Sequence, residues 1–182
     1  MKVVLIEPAS AEANVYSKLH MPLLGPIYLG TILKNRGHDV EIYNEDIYRP
    51  DYSRLSADIV GISILTSTAK RGYEIAGRFP KEKVIIGGVH ASLLPDEALQ
   101  FARQVVVGEA EEVIVDVVEG LNKEAIVYGK PLQNLDSLPH PDFSLIKGYK
   151  LPSFIMPIST SRGCPFKCIF CSVTKMFGRE YR

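Results

Sequence analysis

The chain has 182 residues, 46% of them hydrophobic and 23% charged, with lysine plus arginine equal to aspartate plus glutamate at 21 each. That balance suits one globular domain with an appendage, and it excludes a long-range field that would recruit nucleic acid or an acidic membrane surface. No apolar run approaches the ~18 residues of a membrane span and no leader-like segment opens at Met1, so a reducing, cytoplasmic setting is expected.

In chain order, a valine- and isoleucine-rich run at residues 3–6 reads as a buried parallel strand. Residues 27–36 follow as a helix, with Ile27, Leu29, Ile32 and Leu33 apolar and Gly37 as its stop. A strand through Val40, Ile42 and Tyr43 comes next, then another at 59–65. Thr66 or Ser67 can cap a helix that carries Ala69, Tyr73, Ala76 and Phe79 and ends before Pro80. After a strand at 84–86, Pro95 suits a first helical position, with Asp96 and Glu97 complementing the positive helix start. A strand at 105–107 leads into a helix expected over 109–121, burying Val113, Ile114, Val117, Val118 and Leu121, with Glu109, Glu111 and Glu112 read as complementing its amino end.

This alternation predicts an α/β fold over residues 1–125: a doubly wound, five-stranded parallel sheet of flavodoxin-like or Rossmann-like type. Ligands in such sheets lie beyond the carboxyl ends of the strands, here loops 7–25, 64–68 and 87–93. No glycine occurs between Glu7 and Leu24, which argues against a dinucleotide fingerprint, and a phosphate-cradling GxxxxGK[ST] string is absent. A phosphoacceptor aspartate at the end of the third strand is missing too, because Leu65 and Thr66 stand there.

Residues 126–153 are broken by Pro131, Pro139, Pro141 and Pro152 and read as a linker. Beyond it, Cys164, Cys168 and Cys171, the chain's only cysteines, fall within eight residues. Thiolates suit zinc and iron-sulfur clusters, but closed structural zinc wants a fourth ligand that the cysteines do not supply. Three thiolates on a 4Fe-4S cluster leave one iron open to a substrate or cofactor. A redox-sensitive thiol loop or a disulfide are the other readings of the same cysteines, and the odd count weighs against the disulfide.

The Cys-x3-Cys-x2-Cys loop, with Phe170 before the last cysteine, resembles the signature of the radical S-adenosylmethionine superfamily. The resemblance implies that Cys164, Cys168 and Cys171 hold a 4Fe-4S cluster, that its open iron chelates S-adenosylmethionine, and that Phe170 lies against the adenine. Ser63-Ile64-Leu65 and Gly87-Gly88 resemble the S-x-L and G-G elements of cobalamin-binding domains, which line the groove for the cofactor's nucleotide tail. That implies cobalamin contacts at Ser63, Leu65, Gly87 and Gly88. Taken singly, each element also reads as a satisfied strand-end hydroxyl or a strand-to-helix turn. The segment 22–29 and Gly108-Glu109-Ala110-Glu111 are similar to the same combined family, which usually has G-E-G-E at the second place. The family's D-x-H-x-x-G cobalt-ligating string is absent; His20 precedes Gly25 by five residues but has Lys18 two before it, so cobalt ligation by His20 is not expected. His90 is read as a solvated helix-start residue with a cofactor-tail contact as the alternative, and His38 and His140 as structural or linker residues.

The resemblance makes residues 154–160 the first strand of a radical S-adenosylmethionine barrel, within a truncated segment 154–182. Eleven residues follow Cys171, whereas a closed α/β barrel takes roughly 200 or more. A fragment is therefore expected, inactive alone, with an exposed barrel strand inviting oligomerisation. The parent is expected to be a cobalamin-dependent methyltransferase or cyclase-type Fe-S oxidoreductase acting on a small molecule that the sequence does not specify. The alternative is a cobalamin-free scaffold or partner-binding module joined to a radical S-adenosylmethionine domain. Methylthiotransferases, which carry a second cysteine set in their first domain, drop out because no cysteine precedes Cys164.

Overall fold

Side chains alternate across a strand, so a strand covered on both faces must be apolar at nearly every position. The computed structural model, which describes residues 1–10, 21–150 and 156–182, builds its sheet from such strands. β1 (Lys2–Glu7), β2 (Asp39–Asn44), β3 (Ile59–Ser63), β4 (Val84–Gly87), β5 (Gln104–Val107) and β6 (Ile126–Tyr128) form one sheet in the order β2-β1-β3-β4-β5-β6. Every pairing is parallel. The fold class is the one expected, a parallel α/β sheet, but it has six strands rather than five. β6 extends the sheet past the boundary expected at residue 125, into the stretch read as linker.

On one face, Val4, Ile6, Val60, Ile62, Val84, Ile86 and Val105 pack beneath α2 (Ala69–Ala76), α3 (Val89–Leu93) and α4 (Pro95–Leu99). On the other, Val3, Leu5, Val40, Ile42, Ile85 and Val106 pack beneath α1 (Leu24–Asn35) and α5 (Ile114–Val118). Each fully buried valine or isoleucine contributes about 1.5–3 kcal/mol relative to exposure. α1 ends as read: Gly37, at φ +100°, donates to Lys34 O at 2.9 Å and His38 N donates to Leu33 O at 3.1 Å, a Schellman stop. α2 presses its Gly72 against β3, where a Cβ would lie 2.3 Å from Ile64 Cγ2. That close approach is what a glycine inside a helix permits.

Two local expectations are corrected and one short helix is added. The helix expected over 109–121 is confined to Ile114–Val118, preceded by a turn, because Glu109 and Glu111 leave helical geometry to reach partners described below. The helix expected from Pro95 is α4, which starts at that residue, but a short helix that the sequence did not suggest, α3, precedes it right after Gly88, with Leu94 at φ −132° between the two. Residues 154–160 were expected as a barrel strand; residues 151–155 lie outside the described ones, and 156–160 form no strand.

The stretch after β6 is not a free tether. Phe143, Leu145 and Ile146 are buried on the α1 face, Ile146 bridges Ile42, and Lys147 N donates to Ile42 O at 2.9 Å. This strap covers the outer edge of β2, satisfying ladder groups that would otherwise be open to another chain. Thr31 Oγ1 accepts from Asp142 N at 2.9 Å and Lys34 pairs with Asp142 at 2.6 Å, pinning the strap to α1. Among the described residues no helix is long and apolar enough to cross a membrane.

Candidate cofactor crevice

At the carboxyl edge of a parallel sheet the strands stop while the helices diverge, leaving a crevice between sheet and α1. Here the crevice has a volume of about 380 Å³, within the roughly 300–1,000 Å³ of small-molecule sites. Its floor is the α1-side face of the strand ends: Leu5 of β1, Gly61 and Ser63 of β3, Ile85 and Gly87 of β4, and Val106 of β5. The first turn of α1 forms one wall, and Arg162 and Phe177 from the cysteine-bearing segment close the mouth. Two of the four predicted cobalamin-contact positions on the floor and one at its rim, Ser63, Gly87 and Gly88, therefore share this cavity.

The two adjacent glycines differ in cause. Gly88 has φ +95°, and a Cβ there would lie 2.7 Å from Ile64 O and 2.8 Å from Ile64 N. Its role is local: Ile64 N donates to Gly87 O at 2.9 Å and His90 N donates to Ile64 O at 3.1 Å, so the turn is clamped onto the end of β3. Gly87 is unstrained, and the nearest atoms to a Cβ would be Val106 O at 3.6 Å and Val106 Cβ at 4.0 Å, ordinary contact distances. No packing demand of the protein requires glycine at 87. What its missing side chain leaves is floor space. Gly61 is partly refilled, since its Cβ would meet Leu5 Cδ2 at 2.7 Å.

Ser63 brings a hydroxyl that no group among the described residues hydrogen-bonds, on an otherwise apolar floor. Ser92 Oγ donates to Gly88 O at 2.9 Å and accepts from Gly108 N at 3.0 Å, tying the ends of β4 and β5 together beside it. Near the end of β1, Glu7 is buried; its Oε2 accepts from Leu23 N at 3.0 Å and Asn44 Nδ2 at 2.8 Å, fixing the entry to α1. Burial raises its pKa to about 7 against the pull of those two hydrogen bonds.

Glu109 is the functional candidate that sequence reasoning misassigned. Instead of complementing a helix dipole, its carboxylate accepts from Arg162 Nη1 at 2.7 Å, from Arg182, and from Leu132 N at 3.2 Å, while Glu111 accepts from Arg162 Nη2 at 2.6 Å. Burial alone would raise the Glu109 pKa; the hydrogen bonds from Arg182 and Arg162 overcome it and hold the group below the usual carboxylate range. Its arginine partners stand more than fifty positions away in sequence, so no local pattern could have shown them.

Other predicted positions are not gathered here. Leu65 lies outside the cavity lining and uses its N–H to donate to Thr68 Oγ1 at 3.0 Å, holding the turn into α2. Phe170 is 89% exposed, Cys168 is exposed, and Cys164 and Cys171 are half-buried. Among the described residues no three cysteine, histidine or acidic side chains converge as a metal site. His20 lies outside the described residues. His90, expected to be solvated, is buried, its ring nitrogens 3.3 Å from Thr66 Oγ1 and 3.2 Å from Glu97 Oε1.

The B12 binding domain family matches residues 13–118. An uncharacterized methyltransferase of Pyrococcus horikoshii is 30% identical over the whole of this chain, which covers 47% of that protein. The bacteriochlorophyllide d C-12(1)-methyltransferase of Chlorobaculum tepidum is also 30% identical over the whole chain, covering 42% of its length. The anaerobic magnesium-protoporphyrin IX monomethyl ester cyclase of Rubrivivax gelatinosus is 27% identical, again over the whole chain, covering 40% of its length. The chain thus spans less than half the length of these curated relatives.

Proposed function

Because the chain belongs to the B12 binding domain family, we propose that its sheet domain takes the nucleotide tail of cobalamin into the crevice beside Ser63 and Gly87, as one part of a cobalamin-dependent radical S-adenosylmethionine methyltransferase or cyclase. The observation that carries this reading is the vacancy over Gly87. A backbone left bare without any packing need, next to an unclaimed hydroxyl on an apolar floor, fits a flat group with few polar atoms. The methyltransferase and cyclase relatives support the reaction class.

In this reading each residue has a limited task. Ser63 Oγ donates to or accepts from a polar atom of the tail, Gly87 admits its plane against the β4 backbone, and Gly88 holds the turn that shapes the rim. Leu5, Ile85 and Val106 exclude water from the floor. Cys164, Cys168 and Cys171 would supply the thiolates for a 4Fe-4S cluster, and Phe170 a face for the adenine of S-adenosylmethionine. Bound cobalamin supplies a transferable methyl group in methyltransferases. The exposed state of the cysteine loop is compatible with ligands that converge only when the cluster assembles.

Gel filtration after incubation with hydroxocobalamin tests the proposal. The cobalt chromophore should travel with the protein peak at a stoichiometry approaching one. Protein that elutes colourless would favour the cobalamin-free scaffold.

A further inference from the structure

The three cysteines lie inside a closed loop. Arg162 N donates to Arg182 O and Arg182 N donates to Arg162 O, both at 2.9 Å, so these two residues form its base. Gly163, at φ +84°, packs so tightly on the returning chain that a Cβ would lie 1.9 Å from Glu180 O. The base therefore has a defined geometry although its tip, with Ile169 and Phe170, stands in solvent.

Both base arginines aim at one carboxylate. Arg162 Nη1 and Arg182 Nη2 donate to the two oxygens of Glu109, whose side chain is 1% exposed. Arg162 and Arg182 side chains are themselves 11% and 5% exposed, so the cluster is withdrawn from water. Glu109 lies two residues beyond the end of β5. Gly129 N donates to Val107 O at 2.9 Å, and the Gly129 backbone crosses so close to Glu109 that no side chain fits between them. The carboxylate is thus set by the β5–β6 ladder, whereas the guanidinium groups travel with the loop. Buried charges hold position well because removing one partner strands the other.

We propose that Glu109 is a positioning residue that docks the cysteine loop across the mouth of the crevice, acting through Arg162 and Arg182. Glu109 also lines the crevice, and its part in the docking runs through the two arginines whatever fills the cavity. The arrangement brings the thiol-bearing loop against the crevice through the buried Glu109 carboxylate, with Glu111 as a second acceptor for Arg162.

The test uses reduced full chain without cluster or cobalamin, alkylated with iodoacetamide and resolved cysteine by cysteine by mass spectrometry. Exposed Cys168 is the internal reference for half-buried Cys164, whose N–H donates to Gly178 O at 3.3 Å. Glu109→Gln should raise the Cys164-to-Cys168 rate ratio by about ten- to a hundredfold, the loss expected for charge-assisted hydrogen bonds. Arg162→Gln combined with Arg182→Gln, which also breaks the Arg162 contact with Glu111, should raise the ratio at least as far, adding Glu109→Gln to that pair should change nothing further, and Arg162→Lys alone should keep part of the protection. If Glu109→Gln does not fold, the arginine pair decides the matter, since both lie on the loop and outside the core. A merely structural role would lower the unfolding temperature and leave the ratio alone. An unchanged ratio in folded variants overturns the proposal.

Discussion

Replacing Gly87 with valine separates binding from folding more cleanly than any other change in the crevice. Gly87 closes β4, has no positive φ, and its Cβ would meet nothing nearer than 3.6 Å. The protein should accept the side chain. A β-branched residue replacing glycine in a strand should even add about 0.5–1 kcal/mol of stability. Yet its three carbons would project into a cavity of about 380 Å³ that is proposed to hold the tail. Overpacking an occupied, well-fitted space costs about 1–3 kcal/mol, which corresponds to about a 5- to 150-fold rise in Kd. Gly87→Ala, with one carbon, should fall between. The assay pairs equilibrium dialysis against hydroxocobalamin with thermal unfolding of the same samples. Affinity and stability should move in opposite directions. Valine and wild-type proteins with the same Kd and intact folding would refute the crevice as the tail site.

Gly88→Ala should behave in the reverse way, losing about 1–3 kcal/mol of stability from the strained φ and the close Ile64 backbone, read as a lowered midpoint in urea; an unchanged midpoint contradicts the clamp. Glu7 has a folded pKa of about 7 against 4.5 for an ordinary glutamate, so its contribution is fully present below pH 4.5 and is lost as pH rises to about 7. Glu7→Gln should therefore gain stability relative to wild type at pH 8 and much less at pH 5; a pH-independent difference between the two proteins counts against the assignment. Arg71 pairs with Glu45, whose side chain is fully buried, at 2.6 Å, so Arg71→Ala should cost about 3 kcal/mol in chemical unfolding at pH 7 by stranding that carboxylate. A cost below about 1 kcal/mol would mean that Arg49 Nε, 3.3 Å from Glu45 Oε1, and Tyr52, whose hydroxyl donates to the same oxygen at 3.0 Å, suffice to hold it.

What the sequence showed follows from what is local. The runs beginning at Val3, Ile59, Val84 and Val105 were legible because a parallel strand buried on both faces has no polar period to hide it. β6 escaped because it has three residues, only Val127 of which is buried, and it follows a polar turn. The strap residues Phe143, Leu145 and Ile146 were hidden among prolines, and their burial depends on α1 and β2, a hundred residues earlier. Glu109 looked like a helix-start acid since its arginine partners arrive only through tertiary folding. Gly87 and Gly88 were legible as a pair, but only the contacts around each Cβ position divide them into a space-giving and a turn-forming glycine. The cysteine spacing names a ligand set without specifying how the loop docks.

The central claim is that the crevice beside Ser63 and Gly87 receives the nucleotide tail, and the most direct measurement compares ligands with and without that tail. Parallel spectroscopic titrations of the chain with hydroxocobalamin and with cobinamide, which lacks the nucleotide, isolate the contribution of the crevice. The account predicts that cobalamin binds markedly tighter than cobinamide and that Gly87→Val narrows the gap by weakening cobalamin alone. Equal affinity for the two ligands, or equal weakening of both by the valine, would contradict it.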